Sequence, residues 1–171
     1  MNKTYHVPVL LKESINGLNI LPNGIYVDAT FGGGGHAKEI LNHLASSGQV
    51  IAFDQDADAI ENKIDDNRLK LIKSNFKYLT NHLNYLKINK IDGLLADFGI
   101  SSYQIDTEIR GFSIRFDSDL DMRMNKDQKK DAKQILNNYS SDDLNYIFKN
   151  FGELKNYKKV SQIRNNRINT I

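Results

Sequence analysis

Three aspartates stand where this sequence could do chemistry: Asp28, Asp54 and Asp97. Asp28 follows the apolar run Ile25–Val27, Asp54 follows Val50–Phe53, and Asp97 ends Ile91–Ala96. Between the first two lies Phe31-Gly32-Gly33-Gly34-Gly35-His36. Carboxylates attract cations and accept hydrogen bonds from hydroxyl groups. Glycines let the backbone approach a ligand closely, although four in a row lose much conformational freedom on folding. A helix starting just after them offers free N–H groups to a carboxylate or phosphate.

Gly32-x-Gly34-x-x-Ala37 fits the G-x-G-x-x-A dinucleotide fingerprint, and Asp54 is placed downstream to take both ribose hydroxyls. Two adenosine cofactors compete for such a crevice. A nicotinamide dinucleotide would set its pyrophosphate on the helix dipole. S-adenosylmethionine would give its carboxylate to the loop N–H groups and its sulfonium and ammonium to nearby acids, and Asp28 and Asp97 fit it better. His36, at the start of the helix, is expected to touch the cofactor. His6, His43 and His82 lack metal-ligand spacing and read as surface or packing residues. Asp117-x-Asp119-x-Asp121 lacks the glycine and the twelfth-position glutamate of a calcium loop, and Ser101-Ser102 has no histidine in a matching context. No metal site is expected.

The elements that must position these groups follow from the periodicity. The spacing predicts a short helix after Pro8, with Leu10, Leu11, Ile15 and Leu18 inward, and strands at Ile25–Asp28, Val50–Asp54, Leu69–Ile72 and Ile91–Asp97. Helices are expected near His36–Ala45, over Ala57–Ile64, and where Phe76, Leu79, Leu83 and Leu86 recur. Alternation of that kind implies a parallel α/β sheet with right-handed crossovers, whose strand-end acids meet in one crevice. Beyond Asp97 the pattern is lost until two helices, over 127–136 and 142–151. Ser141 is the expected N-cap of the second. The tail, 155–171, is polar and basic with little to bury.

Hydrophobic residues make up 40% of the 171, enough for a core. No apolar run reaches membrane-span length, no secretory signal pattern opens the chain, and there is no cysteine, which excludes thiolate metal sites and cysteine nucleophiles. A cytoplasmic setting is the default. Residues 125–171 hold 10 Lys/Arg against 5 Asp/Glu, whereas residues 1–124 hold 13 against 16. A basic C-terminal part suits nucleic acid or is simply a solvated helix surface. Arg110, Arg115 and Arg123, interleaved with Phe112 and Phe116, suit phosphate contact and base stacking. They suit ion pairing with Asp117, Asp119 and Asp121 equally well.

Four stretches in order carry a resemblance: His6-Val7-Pro8-Val9-Leu10-Leu11-Lys12-Glu13; Asp28-Ala29-Thr30-Phe31-Gly32-Gly33-Gly34-Gly35-His36; Asp97-Phe98-Gly99-Ile100-Ser101-Ser102; and Arg110-Gly111-Phe112-Ser113 with Leu120-Asp121-Met122-Arg123-Met124. Together they resemble the bacterial ribosomal RNA small-subunit methyltransferase H family, also called MraW. The resemblance implies a class I, Rossmann-like S-adenosylmethionine-dependent methyltransferase acting on N4 of a cytidine in the decoding region of 16S ribosomal RNA. It implies cofactor contacts at Gly34, Gly35, His36, Asp54, Phe76, Asp97 and Gln104, with Asp97 also the candidate catalytic acceptor. Arg110, Arg115 and Arg123 are the candidate RNA contacts. The implied partner is the small ribosomal subunit, with no DNA and no membrane.

Local departures are mild: Gly33 where Arg is common in the family, Ala37 where Ser is usual, Tyr103 where Pro is usual. The larger departure is length. The family's chains continue, inserting a helical domain after the fourth strand before completing the sheet. On that basis residues 1–104 are the N-terminal part of the methyltransferase domain and 105–171 the start of an inserted, mostly helical substrate-recognition domain. The sheet is then incomplete, with the fourth strand an edge unless a second polypeptide completes it, and marginal stability is expected. The alternatives are an inactive remnant that only binds S-adenosylmethionine or RNA, and a nicotinamide-dependent oxidoreductase, for which only the glycine fingerprint speaks.

Overall fold

The computed structural model describes residues 8–168, with side chains to Ile163; His6, Val7 and the last three residues lie outside it. The chain divides into two compact units. The first runs to Gln104 and takes in Met124–Lys126; the second comprises Ile105–Arg123 and the chain from Asp127 on.

The first unit is built on a four-stranded parallel sheet, β1 (Ile25–Asp28), β2 (Gln49–Asp54), β3 (Leu69–Lys73) and β4 (Gly93–Leu95), in the order β3-β2-β1-β4. Val27 pairs with Ile51 on one side and Leu94 on the other. Side chains alternate across the pleat. Tyr26, Val50 and Ala52 face one layer with Ile15 of α1 (Leu11–Leu18) and Ala37, Ile40 and Leu41 of α2 (Gly35–His43). Val27, Ile51 and Phe53 face the other, with Leu79 and Leu83 of α4 (Leu79–Tyr85). Burial on both faces explains why these strands are apolar runs rather than alternating ones. The order reverses between β1 and β4, and the crevice outside such a switch point is where open α/β sheets bind ligands.

Several boundaries differ from expectation. The helix expected over Ala57–Ile64 is a single turn, α3 (Ala57–Ile60). The chain leaves it so that Asn62 can donate to the Gly32 carbonyl at 3.2 Å and Ile64 can join the first core layer. Phe76–Tyr78 is a 3₁₀ turn ahead of α4. The fourth strand stops at Leu95 rather than Asp97, because the Asp97 N–H turns to Thr30 Oγ1, 2.7 Å away, instead of continuing the ladder.

The stretch after Phe98 that shows no period contains α5 (Ser102–Asp106), which begins in the first unit and ends in the second, and then, in the second unit, a 3₁₀ turn at Glu108–Arg110. The expected helix over 127–136 is α6 (Ala132–Asn138), since Asp131 caps it by accepting from the Gln134 N–H at 2.6 Å. In α7 (Ser141–Asn150) the cap is Ser140, not Ser141: its Oγ accepts from the Asp143 N–H at 3.1 Å. Leu144 is buried, whereas Phe151 is exposed, edge-on to Tyr146. The polar tail forms α8 (Tyr157–Ile168), and its Ser161 is buried, donating to Asn145 Oδ1 of α7 at 2.7 Å. Helical packing of small and polar residues carries no apolar stripe, so periodicity did not reveal α8.

Candidate cofactor crevice

β1 delivers Asp28 to the start of α2, where its carboxylate is fully buried. Oδ1 accepts from the Thr30 N–H at 3.0 Å, while Oδ2 has no hydrogen-bond partner among the described residues. Burial, with Asp54 and Asp97 nearby adding like charge, pushes the Asp28 carboxyl up to about 7, against the pull of the Thr30 and Ala37 backbone N–H groups. His36, on the first turn of α2, is also buried, and its Nε2 has no partner among the described residues. Burial holds its imidazole below the usual value although Asp97 opposes the shift, which favours the uncharged ring. Unpartnered buried polar atoms are rare in native proteins and mark places where a ligand group can complete the bonding.

The glycine loop is shaped by two different needs. Gly34 caps α2 with φ +76°, and a Cβ there would lie 2.8 Å from the Phe31 ring. Gly35 has an ordinary φ, but Pro8 packs where its side chain would go. The loop is tied across the sheet by the Phe31 N–H to the Phe53 carbonyl at 2.9 Å and the Ala29 N–H to the Leu95 carbonyl at 2.9 Å.

Asp54 ends β2 half-buried, and burial raises its carboxyl above the ordinary value. Its oxygens are oriented from below: Gly32 N–H donates to Oδ2 at 2.8 Å and Asp56 N–H to Oδ1 at 2.9 Å. Each oxygen keeps acceptor capacity for a hydroxyl. Asp97 lies exposed two residues beyond β4. Phe76 stands exposed after β3, its ring 5.4 Å from that of Phe98, itself 72% exposed. Phe98 is a member of this rim that sequence reasoning did not single out; its place beside Asp97 was the available signal. Gln104 is buried and reaches inward: its Nε2 donates to Asp56 Oδ2 at 2.8 Å, and its Oε1 accepts from the Ser101 N–H at 2.9 Å. Among the described residues no group of three His, Asp or Glu side chains is placed to hold a metal ion, and no helix is long and apolar enough to cross a membrane.

The three arginines separate. Arg110 is fully buried, donating from Nη2 to the Arg123 carbonyl at 2.8 Å with Phe112 5.9 Å from its guanidinium, so it presents no surface to a phosphate. Arg123 forms a fork with Asp121, 2.9 Å from Nε to Oδ1 and 2.6 Å from Nη2 to Oδ2, and donates to the Gln128 carbonyl. Arg115 pairs with Asp106 on the surface, its side chain 57% exposed. Ion pairing accounts for Arg123, whereas Arg115 is presented to solvent.

The family model described as the MraW methylase family matches residues 3–170. The chain is 53% identical over 171 residues to a Christiangramia forsetii protein named ribosomal RNA small subunit methyltransferase H, covering 97% of this chain and 57% of that one. Relatives of the same name from Cytophaga hutchinsonii and Flavobacterium johnsoniae are 55% and 51% identical, over 92% and 89% of this chain and 53% and 50% of theirs. The chain thus spans about half the length of the curated relatives it matches.

Proposed function

The chain belongs to the MraW methylase family, and from that premise we propose that its first unit binds S-adenosylmethionine for methylation of a cytidine N4 in the decoding region of 16S ribosomal RNA, in the cytoplasm. The observation that carries this reading is the charge of the crevice. Three acids surround a glycine loop, and one of them, Asp28, has a buried oxygen without a partner among the described residues. A dinucleotide pyrophosphate would meet like charge there, whereas a cation relieves it. When bound, S-adenosylmethionine supplies an electrophilic methyl on a positive sulfonium.

Each residue then has a task. Backbone N–H groups at Gly35 and His36, at the start of α2, take the carboxylate of the amino-acid part, while Gly34, whose own N–H donates to the Phe31 carbonyl at 2.7 Å, lets the ligand approach the turn closely. Asp54 takes the ribose hydroxyls. Phe76 packs on the adenine. Asp97 accepts a hydrogen bond from the cytidine amine, orienting a nitrogen whose lone pair is delocalised into the ring, and holds the proton that N4 loses as its new bond to carbon forms. The target base must be unstacked to reach this rim. Arg115, exposed on the second unit, contacts the RNA backbone.

Titration calorimetry tests the cofactor assignment. S-adenosylhomocysteine should bind and NAD should not; the reverse order would overturn it. Methyl transfer to small ribosomal subunits, measured with Asp97→Asn, tests the acceptor role. Turnover should fall roughly 100-fold or more while cofactor affinity holds. Equal loss of both would make Asp97 a cofactor ligand only.

A further inference from the structure

Gln104 and Asp56 are each 4% exposed and lie 48 residues apart in sequence, yet their side chains meet at 2.8 Å. The contact is one link in a continuous series. The Gly32 N–H holds Asp54 Oδ2, the Asp56 N–H holds Asp54 Oδ1, and the Asp58 N–H holds Asp56 Oδ1 at 3.1 Å. Asp56 Oδ2 then takes the Gln104 amide N–H, and the Gln104 amide oxygen takes the Ser101 N–H. The Gln104 N–H closes the turn on Ser101 Oγ at 3.2 Å. The series joins the glycine loop and the end of β2 to the loop that leaves β4. A carboxylate on one side and a backbone N–H on the other fix which way the Gln104 amide points.

We propose that Asp56 is a positioning residue: clamped to Gln104, it holds the segment running from Asp97 to Gln104 in register with Asp54 and the glycine loop, so that both walls of the cofactor crevice are set before a ligand arrives. The proposal rests on the cofactor reading given above. Gln104 then acts on the cofactor through Asp56 and Ser101, with its amide oxygen and one amide N–H already committed. Preorganisation of this kind lowers the cost of ordering the crevice on binding.

The test uses the polarity of the link. Asp56→Asn keeps a good N-cap for α3 but turns an amide N–H toward the Gln104 N–H, breaking one contact. Gln104→Glu sets a second carboxylate against Asp56. The double variant Asp56→Asn/Gln104→Glu restores donor to acceptor, with the same net charge and nearly the same shape. Two readouts are taken on the full chain: S-adenosylhomocysteine affinity by calorimetry, and amide hydrogen exchange at Gly32 and Ser101 without ligand. Asp56→Asn should weaken binding roughly tenfold and speed exchange at Ser101 by a similar factor. The double variant should recover both to within about twofold. Gln104→Glu should bind better at acid pH, where the paired carboxylates share a proton. Unchanged values in Asp56→Asn would overturn the proposal. So would a double variant that recovers exchange but not binding, since that result makes Gln104 a direct ligand contact. If the unsubstituted chain fails to bind S-adenosylhomocysteine, the cofactor reading falls, and the exchange data still decide whether the clamp exists.

Discussion

Among single residues, Asp28 couples stability to function most directly. Burial pushes its carboxyl up to about 7 in the folded chain, against 3.8 for an ordinary aspartate. Below about pH 4 both folded and unfolded states hold the proton. Between about 4 and 7 only the folded state keeps it, so folding stability falls as pH rises through that window and levels off above it. The full effect is on the order of 4 kcal/mol, and Asp54, also raised by burial, acts in the same direction. Asp28→Asn should therefore raise urea resistance at pH 8, flatten the pH dependence, and weaken S-adenosylmethionine binding. Unfolding curves at pH 5 and pH 8 that keep the original difference would contradict this. The arginines offer a second contrast. Arg110→Ala empties a buried site and strands the Arg123 carbonyl, which should cost about 3 kcal/mol in denaturant unfolding. Arg115→Ala should stay within about 0.5 kcal/mol of the original stability. It should weaken binding to small-subunit RNA and lower the salt slope by about 1.

For whole elements, what matters is how ends are closed. α2 begins at Gly34, where a positive φ and the Phe31 ring both exclude a side chain. Gly34→Ala should cost about 2 kcal/mol from the strained backbone and the displaced ring, read by thermal unfolding, and should slacken the loop that presents the N–H groups. α7 is closed by Ser140. Ser140→Ala should cost about 1 kcal/mol, visible as a lower helix melting midpoint. If Ser141→Ala proves the more harmful of the two, the cap has been assigned to the wrong residue. Helix interiors were legible in the sequence because apolar spacing is a local signal, and Ile135, Leu136 and Leu144 all turn inward to some degree. Ends were less legible. Neighbouring serines offer the same hydroxyl, and only the backbone conformation at Ser140 decides which one caps.

At the scale of the molecule, the sheet order β3-β2-β1-β4 brings the glycine loop and the Asp97 loop to the two sides of the switch point. β4 stands at an edge of the sheet, with Leu94 of that strand 48% exposed. A ligand that bridges both loops should stabilise the first unit by mass action. S-adenosylhomocysteine at a hundred times its dissociation constant should add about 2.7 kcal/mol, a rise of several degrees in the melting temperature. NAD at the same concentration should add nothing. A thermal scan in which neither ligand moves the transition would count against the crevice as a cofactor site.

The sequence by itself determined the β-α-β alternation, the strand-end acids and the glycine turn between them. Those depend on periodicity within ten residues and on the steric demands of single positions. Tertiary structure alone decided which arginine is buried, that one Asp28 oxygen has no partner among the described residues, and that Gln104 reaches Asp56 across 48 residues. Hydrogen bonds between distant segments leave no period in a chain. They exist only once the parallel sheet has set β1, β2 and β4 side by side.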